Sequence, residues 1–254
     1  MPKLPISLVI ITKNEEANIA ACIESAPFVS EVIVLDSGSL DQTVEKAKTL
    51  GAKVFEEPWK GFGLQKQSAT DKANFDWVLA LDADERVSPE LAKELESVFN
   101  GPLTHDAYQI PRLSFHMGRW IRHGGWYPDY QTRFFNRKKC HWTPVELHEK
   151  IVSSHLGRVQ NHLEHFVFRN LFHQVEANNK YSTLGASELF HKGQSFSLLR
   201  LLVKPWSKFI ETYFWKLGLL DGVPGFVIAV GAAYSMFLRQ SKLWELHNKK
   251  RISN

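Results

Sequence analysis

The sequence is short of cysteine, of glycine-rich loops and of long apolar runs, and each shortage removes a class of protein. Its two cysteines, Cys22 and Cys140, form no C-x-x-C and no metal-binding spacing. That argues against a zinc or redox motif and favours a reduced, cytosolic compartment. Neither G-x-G-x-x-G nor G-x-x-x-x-G-K-[ST] occurs, which disfavours Rossmann dehydrogenases and P-loop enzymes. No H-E-x-x-H is present, so a zinc site of that kind is not expected. His141, His148, His155 and His162 recur every seven residues, but Pro144 and Gly157 interrupt any single helix, so the spacing reads as coincidence. Met1–Ile11 carries one lysine and only a short apolar run before Thr12-Lys13-Asn14-Glu15-Glu16, so no signal peptide is expected. The uncharged stretch Val223–Leu238 contains Pro224, Gly225 and Gly231 and falls short of the roughly 20 apolar residues a membrane-spanning helix needs.

Charge of one sign is also scarce. The formal net charge is +4, with no dense basic block before the C-terminus, so nucleic acid is not an expected partner. Acids concentrate before residue 112 and Arg and Lys after it, which points the later half towards an anionic partner. With 44% hydrophobic and 23% charged residues in 254, the chain is globular rather than disordered and can bury a full core.

What is present begins with Trp77–Glu85, WVLALDADE. Five apolar residues, as in a strand covered on both faces, run abruptly into Asp82, Asp84 and Glu85. Clustered carboxylates at a strand end need a cation or hydrogen-bond donors to offset them. In extended backbone Asp82 and Asp84 point to the same side and could share one hard divalent ion. The competing reading is a solvated acidic turn before the helix that Ser88-Pro89-Glu90 begins.

Three earlier strands, Ile6–Ile11, Glu31–Leu35 and Lys53–Phe55, alternate with helical stretches at Glu15–Ser25, Asp41–Leu50 and Gly61–Asn74. Gly51 stops the second helix. This alternation predicts an open, mostly parallel α/β sheet flanked by helices. Ligands bind beyond the carboxyl ends of such strands, which selects Thr12–Glu15, Asp36–Ser39 and Asp82–Glu85.

The segments VIITKNEE, VIVLDSGSLDQT, GFGLQKQSA and WVLALDADE, in that order and spacing, resemble family 2 of the inverting glycosyltransferases, which have the GT-A nucleotide-sugar fold. The resemblance covers roughly residues 5–195. YPDYQTRFFNR, the pair His148-Glu149 and DGVPGF are similar to the lipopolysaccharide-core β-1,4-glucosyltransferase branch. It implies that Thr12, Asn14 and Glu15 lie against the nucleoside and that Asp36 accepts from the base. It implies that Lys66 reaches the base or phosphates. Asp82 would contact the ribose or a metal-bound water, and Asp84 would ligate a divalent ion, Mg2+ or Mn2+, with Asp82 and a late histidine, His165, completing the metal shell. Where the family often has Asp-Asp-Gly-Ser, this chain has Asp36-Ser37-Gly38-Ser39, so a second acid there is absent. The bland alternatives are that Asp36 caps the following helix and Asn14 fills a turn.

Tyr108–Ile110 reads as an edge strand and Gln131–Phe135 as another strand. Between them, Gly118–Tyr130 is rich in Gly, Trp and Tyr. Aromatic faces such as Trp126 suit sugar rings, although a packing loop would look the same. Arg133 is expected to pair with the acidic site or a phosphate. An inverting transfer needs a carboxylate to take the acceptor proton. Glu149 matches the branch's His-Glu pair and is the first candidate, with Asp129 second.

The organisation expected is a transferase domain over 1–195, divided into a nucleotide-sugar half (1–105) and an acceptor half (106–195), followed by a helical amphipathic extension over 196–254. Leu202, Trp206, Phe209, Ile210, Tyr213, Leu217 and Leu220 recur at helical spacing, with Arg200, Lys204 and Lys208 on another face and Pro205 as a start or break. Such a helix suits an anionic membrane surface, or packing onto the domain or a second subunit. The resemblance implies transfer of a hexose, glucose from UDP-glucose, to a lipid-linked lipopolysaccharide-core saccharide at the cytoplasmic face of a bacterial inner membrane. A polyprenyl-phosphate or peptide acceptor is the alternative within the class. A non-catalytic sugar-nucleotide-binding protein is the alternative outside it, and the intact Asp82/Asp84 pair argues against that.

Overall fold

The run Ile6–Ile10 is apolar apart from Ser7 because each face of its strand has its own core. Ile6, Leu8 and Ile10 pack into one cluster with Ile19, Leu79, Leu91 and Phe134. Val9 packs into another with Ile33, Leu35, Val78 and Phe135. Fully burying one such side chain contributes about 1.5–3 kcal/mol. The computed structural model describes residues 3–144 and 149–252.

In chain order the elements are β1 (Leu4–Thr12), α1 (Ile19–Glu24), β2 (Val29–Asp36), α2 (Thr43–Thr49), β3 (Lys53–Glu56), α3 (Phe62–Asp71), β4 (Trp77–Asp82), β5 (Glu85–Val87) and α4 (Pro89–Asn100). There follow β6 (Ala107–His116), β7 (Arg119–Ile121), β8 (Asp129–Asn136), β9 (His141–Trp142), β10 (Ile151–Val152), β11 (Leu156–Arg158) and β12 (Leu163–His165). The chain ends with α5 (Leu171–His191), α6 (Leu198–Ile210), a π-helical turn (Glu211–Trp215), a 3-10 turn (Gly218–Asp221) and α7 (Gly222–Ile252). The main sheet has the order β3-β2-β1-β4-β8-β6-β12-β5. Its first four strands are parallel, and β8 runs antiparallel to both β4 and β6.

Register fixes what meets at the strand ends. Thr12 lies opposite Asp36, and Ile11 opposite Asp82. Arg112 on β6 lies opposite Asp129 on β8. His165 on β12 lies opposite Glu85 on β5, which brings it next to Asp84. Helix α4 starts where the Ser88 hydroxyl accepts from Leu91 N at 3.2 Å, with Pro89 in its first turn. Contrary to the edge position expected for Tyr108–Ile110, β6 is an interior strand between β8 and β12. Its buried Ala107, Tyr108, Ile110 and Leu113 are the reason.

The chain divides into two units, residues 1–112 with 129–165 and residues 113–128 with 166–254. The packing therefore groups α5 with the later helices, whereas sequence alone put it at the end of the first domain. In the second unit α5 and α6 both pack on α7. Pro205 lies inside α6 rather than at its start or at a break. Helix α7 does not end at the glycines or at Leu238. It runs on through Lys242 and Trp244, and residues 218–249 form a helical stretch long and apolar enough to cross a membrane.

Candidate active site

In the first unit the carboxyl end of β4 carries an acid cluster that the fold holds with fixed cations. Asp82 Oδ1 lies 3.0 Å from Lys66 Nζ, and its Oδ2 accepts from Arg133. Lys66 comes from α3 and is 6% exposed. Its ammonium lies 5.1 Å from the Trp142 ring centre and also pairs with Glu149 at 2.8 Å. One lysine thus joins the two carboxylates, Asp82 and Glu149.

Below them lies Glu85, fully buried. It accepts from Arg133 at 2.8 Å, from Arg112 at 3.1 Å and from the Asp82 backbone N–H at 3.0 Å. Arg112 goes on to grip Asp129 through Nε at 3.0 Å and NH2 at 2.6 Å, and Gln131 donates to Asp129 at 2.8 Å. Burial alone would push the Asp82 carboxyl up. Arg133, then Lys66 and Arg112, more than offset that and hold it well below the usual carboxylate range. Burial likewise opposes the charge on Arg133, but Asp82 and Glu85 hold it firmly protonated. The Cys22 thiol, 3.6 Å from the Asp82 carbonyl, is pushed up by burial and then by Glu85, Asp84 and Asp82, so it is an inert thiol.

Asp84 meets His165 Nε2 at 3.4 Å. Both Asp82 oxygens are committed to Lys66 and Arg133, so the oxygen and nitrogen donors that suit a hard or borderline divalent ion are those of Asp84 and His165. Among the described residues, no three His, Cys, Asp or Glu side chains converge as a ready metal shell.

Asp36 is buried and knits its own turn. It accepts from Gly38 N at 2.9 Å, from Ser39 N at 2.7 Å and from the Ser39 hydroxyl. Gly38 has φ +86°, a conformation that favours glycine. Ser39 Oγ accepts from Asn14 N at 2.8 Å, Asn14 Oδ1 accepts from Leu40 N at 2.8 Å, and the Thr43 hydroxyl accepts from Glu15 N at 2.8 Å. The first two loops are thereby clasped together. At their junction the Thr12 hydroxyl is buried without a partner, a polar atom facing no protein group that could satisfy it.

Of the residues singled out from sequence, Lys66, Asp82, Asp129, Arg133 and Glu149 thus belong to one ion-pair network, and Asp84 with His165 adjoins it. Thr12, Asn14, Glu15 and Asp36 form the neighbouring strand-end loops. Trp126 lies in the second unit, its ring 5.8 Å from that of His116 and 6.2 Å from that of Phe168. His148 lies outside the described residues. Sequence reasoning assigned no role to Glu85, Arg112 or Trp142. Glu85 was visible as the last acid of WVLALDADE, whereas no local pattern connects Arg112 or Trp142 to it.

Residues 7–166 match glycosyl transferase family 2. The chain belongs to this family. The lipopolysaccharide core biosynthesis glycosyltransferase LpsC of Rhizobium meliloti is 30% identical over 268 aligned positions, covering 100% of this chain and 97% of LpsC. An uncharacterized glycosyltransferase of Rickettsia typhi is 35% identical, covering 97% of this chain and 89% of the relative. Among solved structures, Staphylococcus aureus TarS 1–349 in complex with UDP is similar with a TM-score of 0.50 at 18% identity, over 99% of this chain and 92% of that one. That likeness concerns the fold, which is GT-A: a mostly parallel sheet flanked by helices, as the sequence predicted. The protein is therefore a family 2 glycosyltransferase, and the acid network lies at the strand ends where such a sheet binds ligands.

Proposed function

We propose that this glycosyltransferase moves a hexose, glucose from UDP-glucose, onto a saccharide of lipopolysaccharide core with inversion at the anomeric carbon. The observation that carries this reading is the Lys66 bridge, which sets the Glu149 carboxylate beside the strand-end acid Asp82. Full-length similarity to LpsC supports the acceptor class. The unsatisfied Thr12 hydroxyl beside Asp36 supports a nucleoside between the first two strand ends.

Glu149 accepts the proton of the acceptor hydroxyl. That oxygen bonds to the anomeric carbon as the carbon–oxygen bond to the diphosphate breaks, and UDP leaves with the electron pair. Lys66 turns from its carboxylates towards the phosphates. Asp129 is less suited to be the base, because Arg112 holds it through two nitrogens. Asp84 and His165 would hold a divalent ion, which when bound supplies positive charge to the departing diphosphate. The fixed groups agree with this. Five carboxylates, Asp82, Asp84, Glu85, Asp129 and Glu149, meet Lys66, Arg112 and Arg133 in this network and Arg86 beside it, so the cluster keeps a net negative charge that a divalent ion would balance. The acceptor is lipid-linked, and segment 196–254 attaches peripherally to the cytoplasmic face of the membrane.

The test is transfer to a soluble core-oligosaccharide acceptor. Glu149→Gln should lower kcat by about 10²–10⁴ with donor KM little changed. Asp129→Asn should stay within about tenfold of wild type, since it loses ion pairing and not the base. A Glu149→Gln enzyme as fast as wild type would dismiss Glu149 as the base.

A further inference from the structure

We infer that α6 is an in-plane membrane anchor whose outward face lies in the interfacial layer of an anionic leaflet. By the standard of a helix in water, α6 is inside out. At 100° per residue, Leu198, Leu199, Leu202, Val203, Trp206 and Ile210 fall on one side. All six are exposed, Leu199 by 70% and Trp206 by 72%. Lys204 and Lys208 are half-buried on the opposite side, and Lys208 pairs there with Glu211 at 3.1 Å. Phe209, half-buried at the edge of that arc beside Leu198 and Leu202, meets Phe226 of α7 with ring centres 5.8 Å apart. The unit thus uses the narrower, mixed face of α6 for its own packing and leaves the apolar face outward. Just beyond the helix, Trp215 is 77% exposed.

Charge selects the occupant. Residues 188–221 carry five basic side chains, Lys192, Arg200, Lys204, Lys208 and Lys216, against three acids, Glu188, Glu211 and Asp221, a net excess of two. A second copy of the chain would bring the same excess to a shared interface, whereas an anionic headgroup layer neutralises it. Exposed tryptophans on such a face fit the boundary between headgroups and acyl chains. Helix α7 is long enough to cross a membrane, but α5 packs along it with Glu176, Lys180 and Glu188 exposed. Burying those charges in hydrocarbon is prohibitive, which favours attachment in the plane over spanning. The inference refines the peripheral attachment proposed above and does not depend on which sugar is moved.

Flotation of the full-length protein with vesicles tests it. Binding to an equal mixture of phosphatidylcholine and phosphatidylglycerol is expected to exceed binding to phosphatidylcholine alone by at least about tenfold and to weaken in high salt. Leu199→Glu with Trp206→Glu should lower binding by a similar factor, while UDP-glucose hydrolysis and the thermal melt stay as in wild type. If that pair melts early, Trp206→Ser alone is read in the same way. The inference is overturned by equal flotation with both vesicles, by no flotation, or by a variant that floats like wild type. A concentration-dependent dimer that the variant splits, without vesicle binding, would assign the face to a second copy instead. Hydrolysis unchanged in a variant that no longer floats separates failure of the anchor from failure of the glycosyltransfer reading.

Discussion

Replacing Glu85 by alanine isolates the centre of the ion-pair network. The carboxylate is fully buried and accepts three hydrogen bonds, two from guanidinium groups. Removing one partner of a buried ion pair costs about 3–5 kcal/mol because it strands the opposite charge. Here both guanidiniums keep a second carboxylate, Arg112 with Asp129 and Arg133 with Asp82. The expected loss is therefore at the lower end, about 3 kcal/mol. At about 2–4 °C per kcal/mol for a chain of this size, the melting temperature should fall by roughly 6–12 °C. Calorimetry and urea unfolding measure it. Glu85→Ala together with Arg112→Met should cost less than the sum of the two single changes, since the second removes one of the cations the first strands. Equal melting of Glu85→Ala and wild type would refute the reasoning, because it would mean that water or relaxation replaces the carboxylate at no cost.

Three further outcomes follow from the packing. Hydrogen bonds from Lys60, Lys72 and Ser68 hold the Glu57 carboxyl at about 2 against its ordinary 4.5. A depressed carboxylate stabilises the fold above its unfolded value and loses that contribution as pH falls through the folded one, so the melting temperature should drop between pH 4.5 and 2, with a shallower drop in Glu57→Gln. Asp221 accepts from the backbone of Arg122 at 3.1 Å and of His123 at 2.8 Å, so Asp221→Ala should destabilise the second unit by about 2–4 kcal/mol, read by hydrogen exchange at residues 119–124. Gly225→Ala would place its Cβ 1.9 Å from the Gly218 carbonyl oxygen, an overlap costing about 3 kcal/mol or more, visible as poor expression or an early melt.

Local chemistry made much of the first unit legible. The apolar runs before Asp36 and Asp82 announce strands with both faces covered, and the polar residues after them announce the binding edge. What stayed hidden depends on pairings distant in sequence. Arg112 and Asp129 meet only because β8 folds back antiparallel between β4 and β6. Tyr108–Ile110 looked like an edge strand because the residues that cover it, on β8 and β12, come later in the chain. Pro205 suggested a helix end, yet α6 continues through it. It is the eighth residue of the helix, and the carbonyl it would clash with belongs to Leu201, at a half-exposed position where a distorted turn is tolerated. The inverted polarity of α6 was legible as two faces but not as to which face points outward. Helical spacing separates apolar from basic residues, and only the packing on α7 decides which side the unit covers.

The residual charge of the site leads to the last prediction. Lys66 and Arg133 would ordinarily attract a diphosphate, but both are already matched by Asp82, Glu85 and Glu149. An incoming diphosphate meets a cluster that is still net negative. At about 5 Å and an effective dielectric near 20, each unbalanced pair of like charges costs roughly 3 kcal/mol. A divalent ion, if Asp84 and His165 held one as proposed, would offset that repulsion. UDP affinity, measured by calorimetry rather than turnover, should therefore fall by more than about a hundredfold when Mn2+ is replaced by EDTA. Asp84→Asn in Mn2+ should reproduce most of that loss, whereas Asp129→Asn, which deletes a negative charge, should not weaken UDP at all. UDP binding as tight in EDTA as in Mn2+ would mean that Lys66 and Arg133 leave their carboxylates for the phosphates unaided, and the ion would have no place in donor binding.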